Sequence, residues 1–352
     1  MNKIIEEDIK YIINNIPVKE FEGKSVMITG ANGFISGYIV ETLCYINENI
    51  LDDKCKIVAL CRNELKAKAK FKNYLNKQYF NLLIQDVKET IEYDDKIDYI
   101  FHAASIANTR EFGINPVGVI GANAIGTYNL LEYANKKDVE GFVFFSSGAI
   151  YGNLDSAKDF ITENQSFGLD PLDIRNCYSE SKRMGENMCY SYHKQFNIPT
   201  KIVRIGHTYG PGIDINDGRV FSDFAKSILD NEALIIKSDG TSKRAFCYIS
   251  DAIIGFFLVL LNGNNGEAYN LTNNDYFISI SELAEILVNE VFYNKKLDII
   301  YYSDPNEKDL RSKTKGCVSL NIEKIKKLGW NPKISIEEGF RRTIDSFSGG
   351  EN

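Results

Sequence analysis

From Lys24 to about residue 205 the sequence repeats a short apolar run, a turn and an amphipathic segment. The runs lack the alternation of apolar and polar residues typical of half-exposed strands, so they predict strands buried on both faces. The predicted strands are Ser25–Thr29, Lys56–Leu60, Asn81–Gln85, Tyr99–His102, Gly141–Ser146 and Thr200–Ile205. Helices are predicted between them, including 64–77, 119–137 and 178–196. This order predicts an α/β protein with a Rossmann-type doubly wound parallel sheet.

The segments on either side of this repeat are organised differently. Isoleucines at helical spacing predict an N-terminal helix within residues 1–20, ended by Pro17. Residues 21–205 then form the doubly wound domain. After Gly206 the rhythm loosens, and we expect residues 206–348 to form mostly a smaller C-terminal α/β domain. One or two segments of this second half are expected to return to the main sheet.

Composition excludes several classes of protein. Hydrophobic residues make up 44% of the 352 residues and charged residues 25%, as in an ordinary soluble protein. The longest apolar run, Ala252–Leu261, is about half the ~20 residues of a membrane-spanning helix. No secretory leader is visible at the N-terminus. Seven cysteines, an odd number without a Cys-x-x-Cys pair, favour reduced thiols and a cytoplasmic location.

Charge and histidine content narrow the range of partners. The net charge is −7, and no basic segment predicts a nucleic-acid surface. The three histidines show no ligand spacing, so no metal site is predicted.

The most informative turn follows the first predicted strand. There the sequence reads Gly30-Ala-Asn-Gly-Phe-Ile35 before a helix begins. A glycine turn at this place lets backbone N–H groups approach a pyrophosphate at the positive end of the helix dipole. We therefore predict a dinucleotide site with contacts from Gly30, Asn32, Gly33, Phe34 and Ile35.

The residue after the second strand bears on the choice of cofactor. An acid there favours NAD, whereas arginine suits the 2′-phosphate of NADP. This chain has Arg62 followed by Asn63, so NAD(P) is predicted with NADP slightly favoured. A solvated surface charge at Arg62 is the alternative. Asp86 and Val87, after the third strand, are placed to meet the adenine, although an exposed turn aspartate is nearly as common.

The strongest catalytic pattern combines Ser147 with Tyr178 and Lys182. Tyrosine and lysine four residues apart share one face of a helix. A free phenol has a pKa of about 10, which a nearby ammonium and a positive nicotinamide lower. The phenolate then removes a proton from an alcohol, while Ser147 at a strand end holds the same hydroxyl.

Arginines in the second half of the chain are candidates for an anionic substrate. A guanidinium binds phosphate through two parallel hydrogen bonds. The candidates are Arg219, Arg244 and Arg311, each with an ordinary surface arginine as the alternative.

From about Phe21 to Ile344 the chain resembles the extended short-chain dehydrogenase/reductase family, the NAD(P)-dependent nucleotide-sugar epimerases and dehydratases. The matching segments are Gly30–Ile35, His102–Ser105, Asn123–Thr127, Ser146–Gly152, Tyr178 with Lys182, Arg204–Pro211, Arg244–Asp251 and Leu328–Trp330. Segments Arg175–Lys182 and Asp217–Phe224 look most like the UDP-glucuronate decarboxylase branch.

The resemblance implies a chemistry and a partner. Ser147, Tyr178 and Lys182 would oxidise a sugar hydroxyl at C4 and pass hydride to the nicotinamide. The substrate would be a nucleotide-diphosphate sugar, bound mostly by residues 206–348. Similar enzymes are dimers through a four-helix bundle that includes the Tyr/Lys helix, so a homodimer is expected.

The resemblance also implies further contact residues. Ala103, Ala104 and Ser105 would lie against the cofactor. Asn123, His207, Arg219 and Arg244 would contact the substrate, with Arg219 and Arg244 holding the diphosphate.

The sequence departs from the family pattern at several positions. The third glycine of the turn falls at Ser36, with Gly37 displaced by one, and the NAD-type acid is replaced by Arg62. His207 stands where relatives have an asparagine that touches substrate. Dehydratases and decarboxylases carry an acid two residues after the strand-end Ser or Thr, where this chain has Ala149. A decarboxylase arginine falls, by an ungapped count, at Cys317.

These departures order the possible functions. An epimerase needs no additional acid, because oxidation is followed by reduction on the other face, and it is the favoured prediction. An NADPH-dependent 4-ketoreductase comes next, supported by Arg62. A UDP-glucuronate decarboxylase or 4,6-dehydratase with an unrecognised acid is a further alternative. A non-catalytic NADP-binding regulator is the last, and the presence of Tyr178 argues against it.

Overall fold

The structure is a computed structural model that describes residues 2–152, 160–302 and 319–348. Its strands are β1 (Ser25–Thr29), β2 (Lys56–Cys61), β3 (Phe80–Ile84), β4 (Tyr99–His102), β5 (Gly141–Ser147), β6 (Thr200–Ile205), β7 (His207–Tyr209), β8 (Leu234–Ile236), β9 (Lys243–Tyr248), β10 (Glu267–Leu271), β11 (Phe277–Ser279) and β12 (Ile299–Tyr301). Its α-helices are α1 (Lys3–Ile13), α2 (Phe34–Asn49), α3 (Glu64–Lys70), α4 (Glu111–Ile114), α5 (Pro116–Ile120), α6 (Gly126–Lys137), α7 (Cys177–Phe196), α8 (Val220–Asp230), α9 (Ile249–Asn262), α10 (Ile280–Ile286), α11 (Glu323–Lys326) and α12 (Ile336–Ser348).

Seven parallel strands form the main sheet in the order β10-β6-β5-β4-β1-β2-β3. All six predicted strands are present within a residue or two of their predicted bounds, and the predicted fold class is confirmed. The order reverses between β1 and β4. In such sheets ligands bind outside the carboxyl ends of the strands at this reversal.

The seventh strand comes from the second half of the chain. β10 lies beside β6, with Tyr269 opposite Val203. β7, β9 and β11 form a separate three-stranded sheet, and β8 pairs in parallel with β12. Residues after 206 therefore extend the main sheet and also build the smaller mixed sheets.

Helices cover both faces of the main sheet. On one face α9, whose residues Ile249 to Leu260 are all buried, packs against β5, and Phe256 stacks on Phe145 with ring centres 4.0 Å apart. On the other face Leu130 of α6 and Cys189 of α7 pack into a cluster with Phe142 and Phe144. Burial on both sides holds the strand ends rigidly, and these ends carry the site described below.

Two predicted helices differ from the structure. The helix predicted over 64–77 ends at Lys70, because Phe71 and Tyr74 turn inward to pack against Phe80 with ring centres 5.4 and 5.9 Å away. The helix predicted over 119–137 is divided in the structure: its first residues end α5, a wide π-helical turn follows at Gly121–Ile125, and α6 then begins. Periodicity alone indicates neither feature.

Candidate active site

A cleft of about 1110 Å³ lies at the carboxyl ends of the central strands. Most of the predicted site residues line it: Gly30, Asn32, Gly33, Phe34, Ile35, Arg62, Asn63, Asp86, Val87, Ala103, Ala104, Ser105, Ser147, Tyr178, Lys182, His207, Arg219 and Arg244. Asn123 is not brought to the cleft. It is fully buried, and its amide donates to Ser181 Oγ at 3.0 Å. Arg311 and Cys317 lie outside the described residues.

The glycine turn after β1 is shaped for close approach. Gly30 has φ +61°, and a Cβ built there would lie 2.9 Å from the Ala104 Cα. Gly33 begins α2 without a side-chain cap, so the first N–H groups of that helix have no side-chain acceptor. Ser36, at the third-glycine position, donates to Gly30 O at 2.6 Å and braces the turn. The cradle fits a dinucleotide pyrophosphate.

The loop after β4 forms the opposite wall of this cradle. Thr29 Oγ1 accepts the Ala104 N–H at 3.0 Å and lies 2.9 Å from His102 Nδ1, whose other ring nitrogen is 3.0 Å from Thr127 Oγ1. Burial lowers the pKa of His102 to about 3, so the ring is neutral and structural. Ser105 Oγ is buried and has no hydrogen-bond partner among the described residues. An unpartnered hydroxyl in the wall is a further sign that the cleft accommodates a polar ligand.

The far end of the cleft holds the residues predicted to meet the adenosine. Arg62 is 66% exposed, and its Nη1 is 3.9 Å from Asp86 Oδ2. The Asn63 side chain accepts the Lys66 N–H and caps α3. Asp86 also accepts the N–H of Lys88 at 3.0 Å. Asn63 and Asp86 therefore have structural roles beside their place in the cleft.

The catalytic pattern is assembled where β5 meets α7. The Ser147 side chain lies near the Tyr178 hydroxyl and lowers the pKa of the phenol. Lys182 is 2% exposed, and its Nζ donates to Phe145 O at 2.6 Å and lies 5.8 Å from the centre of the Tyr178 ring. The predicted trio is therefore adjacent in space.

Burial disfavours the charged forms of both titratable side chains in the protein alone. Burial raises the pKa of Tyr178, while the Ser147 hydrogen bond and the charge of Arg219 oppose the rise. Burial also lowers the pKa of Lys182 to about 7, although Cys189 and Glu186 act to raise it. Without cofactor, the expected lowering of the phenol pKa is therefore absent, because desolvation disfavours the phenolate more than its neighbours favour it.

Two residues beside this centre were not predicted. The Phe112 ring, from α4, stacks on Tyr178 with centres 4.9 Å apart and planes 13° apart. Glu186, one turn beyond Lys182, accepts from Ser146 Oγ at 2.5 Å and pairs with Arg204 at 2.7 Å. Phe112 lies in a segment without periodicity, so no sequence signal points to it.

The part of the cleft around His207 is positively charged. Arg219 donates to Asp217 at 2.6 Å and lies over the Phe221 ring, and Arg244 donates to Lys243 O at 2.7 Å. Burial, followed by the charges of Arg244 and Arg219, lowers the pKa of His207 to about 3. Both guanidinium groups are thus near His207, which is neutral.

Acidic groups are nearly absent from the cleft. Among the described residues that line it, six are lysine or arginine and a single one, Asp86, is acidic. Asp86 lies beside Arg62. Gly148 and Ala149, which follow Ser147, both line the cleft and carry no ionisable group.

Two negative findings apply to residues 2–152, 160–302 and 319–348. No helix there is long and apolar enough to cross a membrane. No three His, Cys, Asp or Glu side chains within those ranges come together in a way that would hold a metal ion.

A doubly wound sheet, a glycine cradle and an adjacent Ser/Tyr/Lys set define a dinucleotide-dependent enzyme. The model of the NAD dependent epimerase/dehydratase family matches residues 26–272. UDP-glucuronic acid decarboxylase 6 of Arabidopsis thaliana is 32% identical over 323 residues, covering 92% of this chain and 88% of that protein. The chain therefore belongs to the NAD-dependent epimerase/dehydratase family.

Solved structures agree with the fold. An epimerase from Methanothermobacter thermautotrophicus has a TM-score of 0.79 at 22% identity, covering 96% of this chain and 95% of that one. UDP-glucuronic acid 4-epimerase from Bacillus cereus in complex with NAD has a TM-score of 0.73 at 22% identity, covering 92% and 96%. At these identities the likeness shows the fold alone.

Proposed function

We propose that this protein is an NAD(P)-dependent nucleotide-sugar epimerase that acts by transient oxidation of a sugar hydroxyl at C4. The observation that carries the proposal is the composition of the reaction centre. Ser147, Tyr178 and Lys182 provide the machinery for oxidation, and among the described residues that line the cleft no carboxylate lies beside them; Glu186, one turn beyond Lys182, does not line the cleft and is paired with Arg204. An epimerase needs this machinery and no further acid.

The chain's own residues divide the work of proton transfer. When bound, the oxidised nicotinamide supplies a hydride acceptor and a positive charge beside the phenol. That charge favours the phenolate of Tyr178, which burial otherwise disfavours. Tyr178 removes the O4 proton as the C4 hydrogen leaves as hydride, and Ser147 holds the same oxygen. The hydride then returns to C4 on the opposite face of the sugar and Tyr178 returns the proton to O4, so no net oxidation occurs.

The Arabidopsis relative named above is a UDP-glucuronic acid decarboxylase. This chain differs from the pattern of such decarboxylases two residues after Ser147. Water elimination needs an acid or base at the neighbouring carbon, and after loss of carbon dioxide that carbon must be protonated. Ala149 occupies the position of the family acid and is exposed to the cleft. Burial lowers the pKa of His207 to about 3, so its ring is neutral near neutral pH and does not supply the positively charged acid that these steps could use.

Substrate binding is assigned to the positive end of the cleft. Arg219 and Arg244 would hold the diphosphate of a nucleotide sugar, since guanidinium groups match phosphate oxygens. Asp217 fixes the Arg219 guanidinium from behind at 2.6 Å. His207, neutral and between the two charges, would donate or accept a hydrogen bond to the sugar.

A homodimer through α6 and α7 completes the proposal. Large side chains on these helices are exposed, among them Tyr128 (49%), Met184 (53%) and Tyr190 (46%). A second copy that packs the same face would bury them. A molar mass of one chain by light scattering at micromolar concentration would contradict the dimer.

The six described cysteines are unpaired and buried, in keeping with the proposed cytoplasmic location.

Arg62 favours a second candidate, an NADPH-dependent 4-ketoreductase. Its side chain lines the cofactor cleft at the place where a 2′-phosphate would be recognised. A reductase would release the oxidised cofactor after each turnover, whereas an epimerase keeps it bound.

A product assay tests both candidates. The purified protein is incubated with UDP-, dTDP-, GDP- and CDP-sugars and with NAD or NADP, and products are separated and weighed by mass spectrometry. A new peak of unchanged mass supports the epimerase. Consumption of NADPH with a 4-keto sugar supports the reductase. A product lighter by carbon dioxide or water contradicts both, and no product from any sugar favours a binding protein.

A further inference from the structure

The displaced glycine of the turn, Gly37, lies beneath a lysine from the next helix. A Cβ built at Gly37 would lie 2.1 Å from Lys70 Nζ and 2.8 Å from its Cε. Any larger residue would therefore collide with the end of the Lys70 side chain. The absence of a side chain at Gly37 lets the end of the Lys70 side chain lie across the first turn of α2.

Lys70 reaches the back of the glycine turn. Its Nζ donates to Gly33 O at 2.8 Å and to Asn32 O at 3.3 Å. In a trans peptide the C=O and the N–H point in opposite directions. With the Gly33 carbonyl held towards Lys70, the Phe34 N–H points away from it, and Phe34 lines the cleft. The same carbonyl accepts the Gly37 N–H at 3.1 Å, so Lys70 adds a second, charged donor that holds this peptide and its Phe34 N–H in place.

The positive charge of Lys70 also favours binding of an anion such as a pyrophosphate at the glycine turn. Lys70 is solvent-exposed as a whole residue, but its ammonium end lies against α2, and burial lowers its pKa while Glu41 raises it. Glu41 is itself held by Tyr74, whose hydroxyl donates to it at 2.5 Å. A cation fixed behind the turn adds to the positive end of the α2 dipole.

The neighbouring lysines of α3 provide controls. Lys66 lines the cleft on the side of Arg62 and Asn63. Lys68 points elsewhere and pairs with Glu64 at 2.6 Å. A variant at Lys68 removes the same charge from the same helix without touching the glycine turn.

We propose that Lys70 is a positioning residue for the dinucleotide, which orients the glycine turn and places a cation behind the pyrophosphate, and that Gly37 serves to admit it. The proposal rests on the family's cofactor and is independent of which reaction follows. It assigns a role to the two residues at which the turn departs from the family pattern. Ser36 donates a hydrogen bond to Gly30 O, and Gly37 leaves room for the Lys70 side chain.

Binding titrations with the full-length protein test the proposal. The ligands are NADH, NADPH, ADP and adenosine, and the variants are Lys70→Met, Gly37→Ala, the double variant and the control Lys68→Met. Loss of a charged hydrogen bond predicts about tenfold weaker binding of NADH, NADPH and ADP to Lys70→Met. Adenosine, which lacks the pyrophosphate, should bind unchanged, and Lys68→Met should resemble the wild type.

The double variant gives the sharpest result. Gly37→Ala should weaken ADP binding in the wild-type background by displacing Lys70, and should cost nothing further in the Lys70→Met background. Equal losses in both backgrounds would overturn the link between Gly37 and Lys70. A loss for NADPH alone, or an equal loss for adenosine, would overturn the assignment to the pyrophosphate. Gly37→Ala keeps the lysine, so it serves if Lys70→Met does not fold.

Discussion

The cofactor half and the proposed substrate half of the cleft are formed by different kinds of chemical group. The cofactor half consists of backbone groups in short contiguous segments, the turn at Gly30–Phe34 and the loop at Ala103–Ser105, supported by rigid strands. The proposed substrate half consists of side chains, those of Arg219, Arg244 and the neutral His207, which come from separate elements. The first half is preorganised by local geometry, and the second depends on tertiary contacts such as that between Arg219 and Asp217.

The largest expected effect is at the junction of the two halves. Tyr178→Phe removes the proton acceptor and should lower turnover by roughly a thousandfold. The cofactor half is untouched, so the dissociation constant for NADH should stay within about twofold of the wild type. Steady-state kinetics and a fluorescence titration measure the two quantities. Full retention of turnover would show that the chain is a binding protein or uses another base.

The free energy of unfolding should depend on pH because Lys182 is buried. Its pKa is about 7 in the folded protein against 10.5 in a free chain, so the unfolded state binds more protons between these values. Stability therefore rises with pH across this window, and the cost of the buried charge is fully present below about pH 7.

Lys182→Met removes this cost and should stabilise the cofactor-free protein near neutral pH by about 2–3 kcal/mol, after the lost hydrogen bond to Phe145 is subtracted. Urea unfolding at about pH 7 and about pH 10 measures the gain, which should shrink towards the higher pH. A gain independent of pH, or a destabilisation near neutral pH, would contradict a buried ammonium at this position.

The substrate half should be separable from the cofactor half by charge removal. Arg219→Met and Arg244→Met should each weaken binding of a nucleoside diphosphate by about tenfold, with NADH binding unchanged. Arg175→Met is the matched control, because Arg175 pairs with Asp173 and does not line the cleft. Equal weakening of both ligands would mean that the two halves are not independent.

The smallest effect concerns the choice of cofactor. Arg62 is exposed and only loosely paired with Asp86, so Arg62→Ala should lower the preference for NADPH over NADH by about fivefold. Titrations with the two reduced cofactors at the same salt concentration measure the ratio. An unchanged ratio would return Arg62 to the role of a surface charge.

The comparison of halves also explains what the sequence could predict. Gly30 and Gly33 follow from spacing and from their place after a strand, because the cradle is local, whereas Ser105 is implied by the resemblance to a family. Tyr178 and Lys182 follow from helical spacing. The arrangement of the arginines does not, since each reaches the cleft through the fold of the second half, and the resemblance to a family was needed to select them.

Residues that act through partners distant in sequence were missed. Lys70 meets Gly33 across 37 positions, and Phe112 meets Tyr178 from a short helix that no pattern indicates. Asn123 was expected at the substrate, but the wide turn at Gly121–Ile125 directs its side chain into the interior towards Ser181. Such contacts depend on helix packing, which periodicity does not specify.

Our central proposal is that Tyr178 lies where the two halves of the cleft meet, and that a hydride leaves C4 of the sugar there and returns to it with no net oxidation. The direct measurement uses the sugar nucleotide that turns over in the product assay, deuterated at C4. The account predicts a product of unchanged mass that keeps its deuterium at C4. Loss of the deuterium to added cofactor, or a product lighter by carbon dioxide or water, would contradict it.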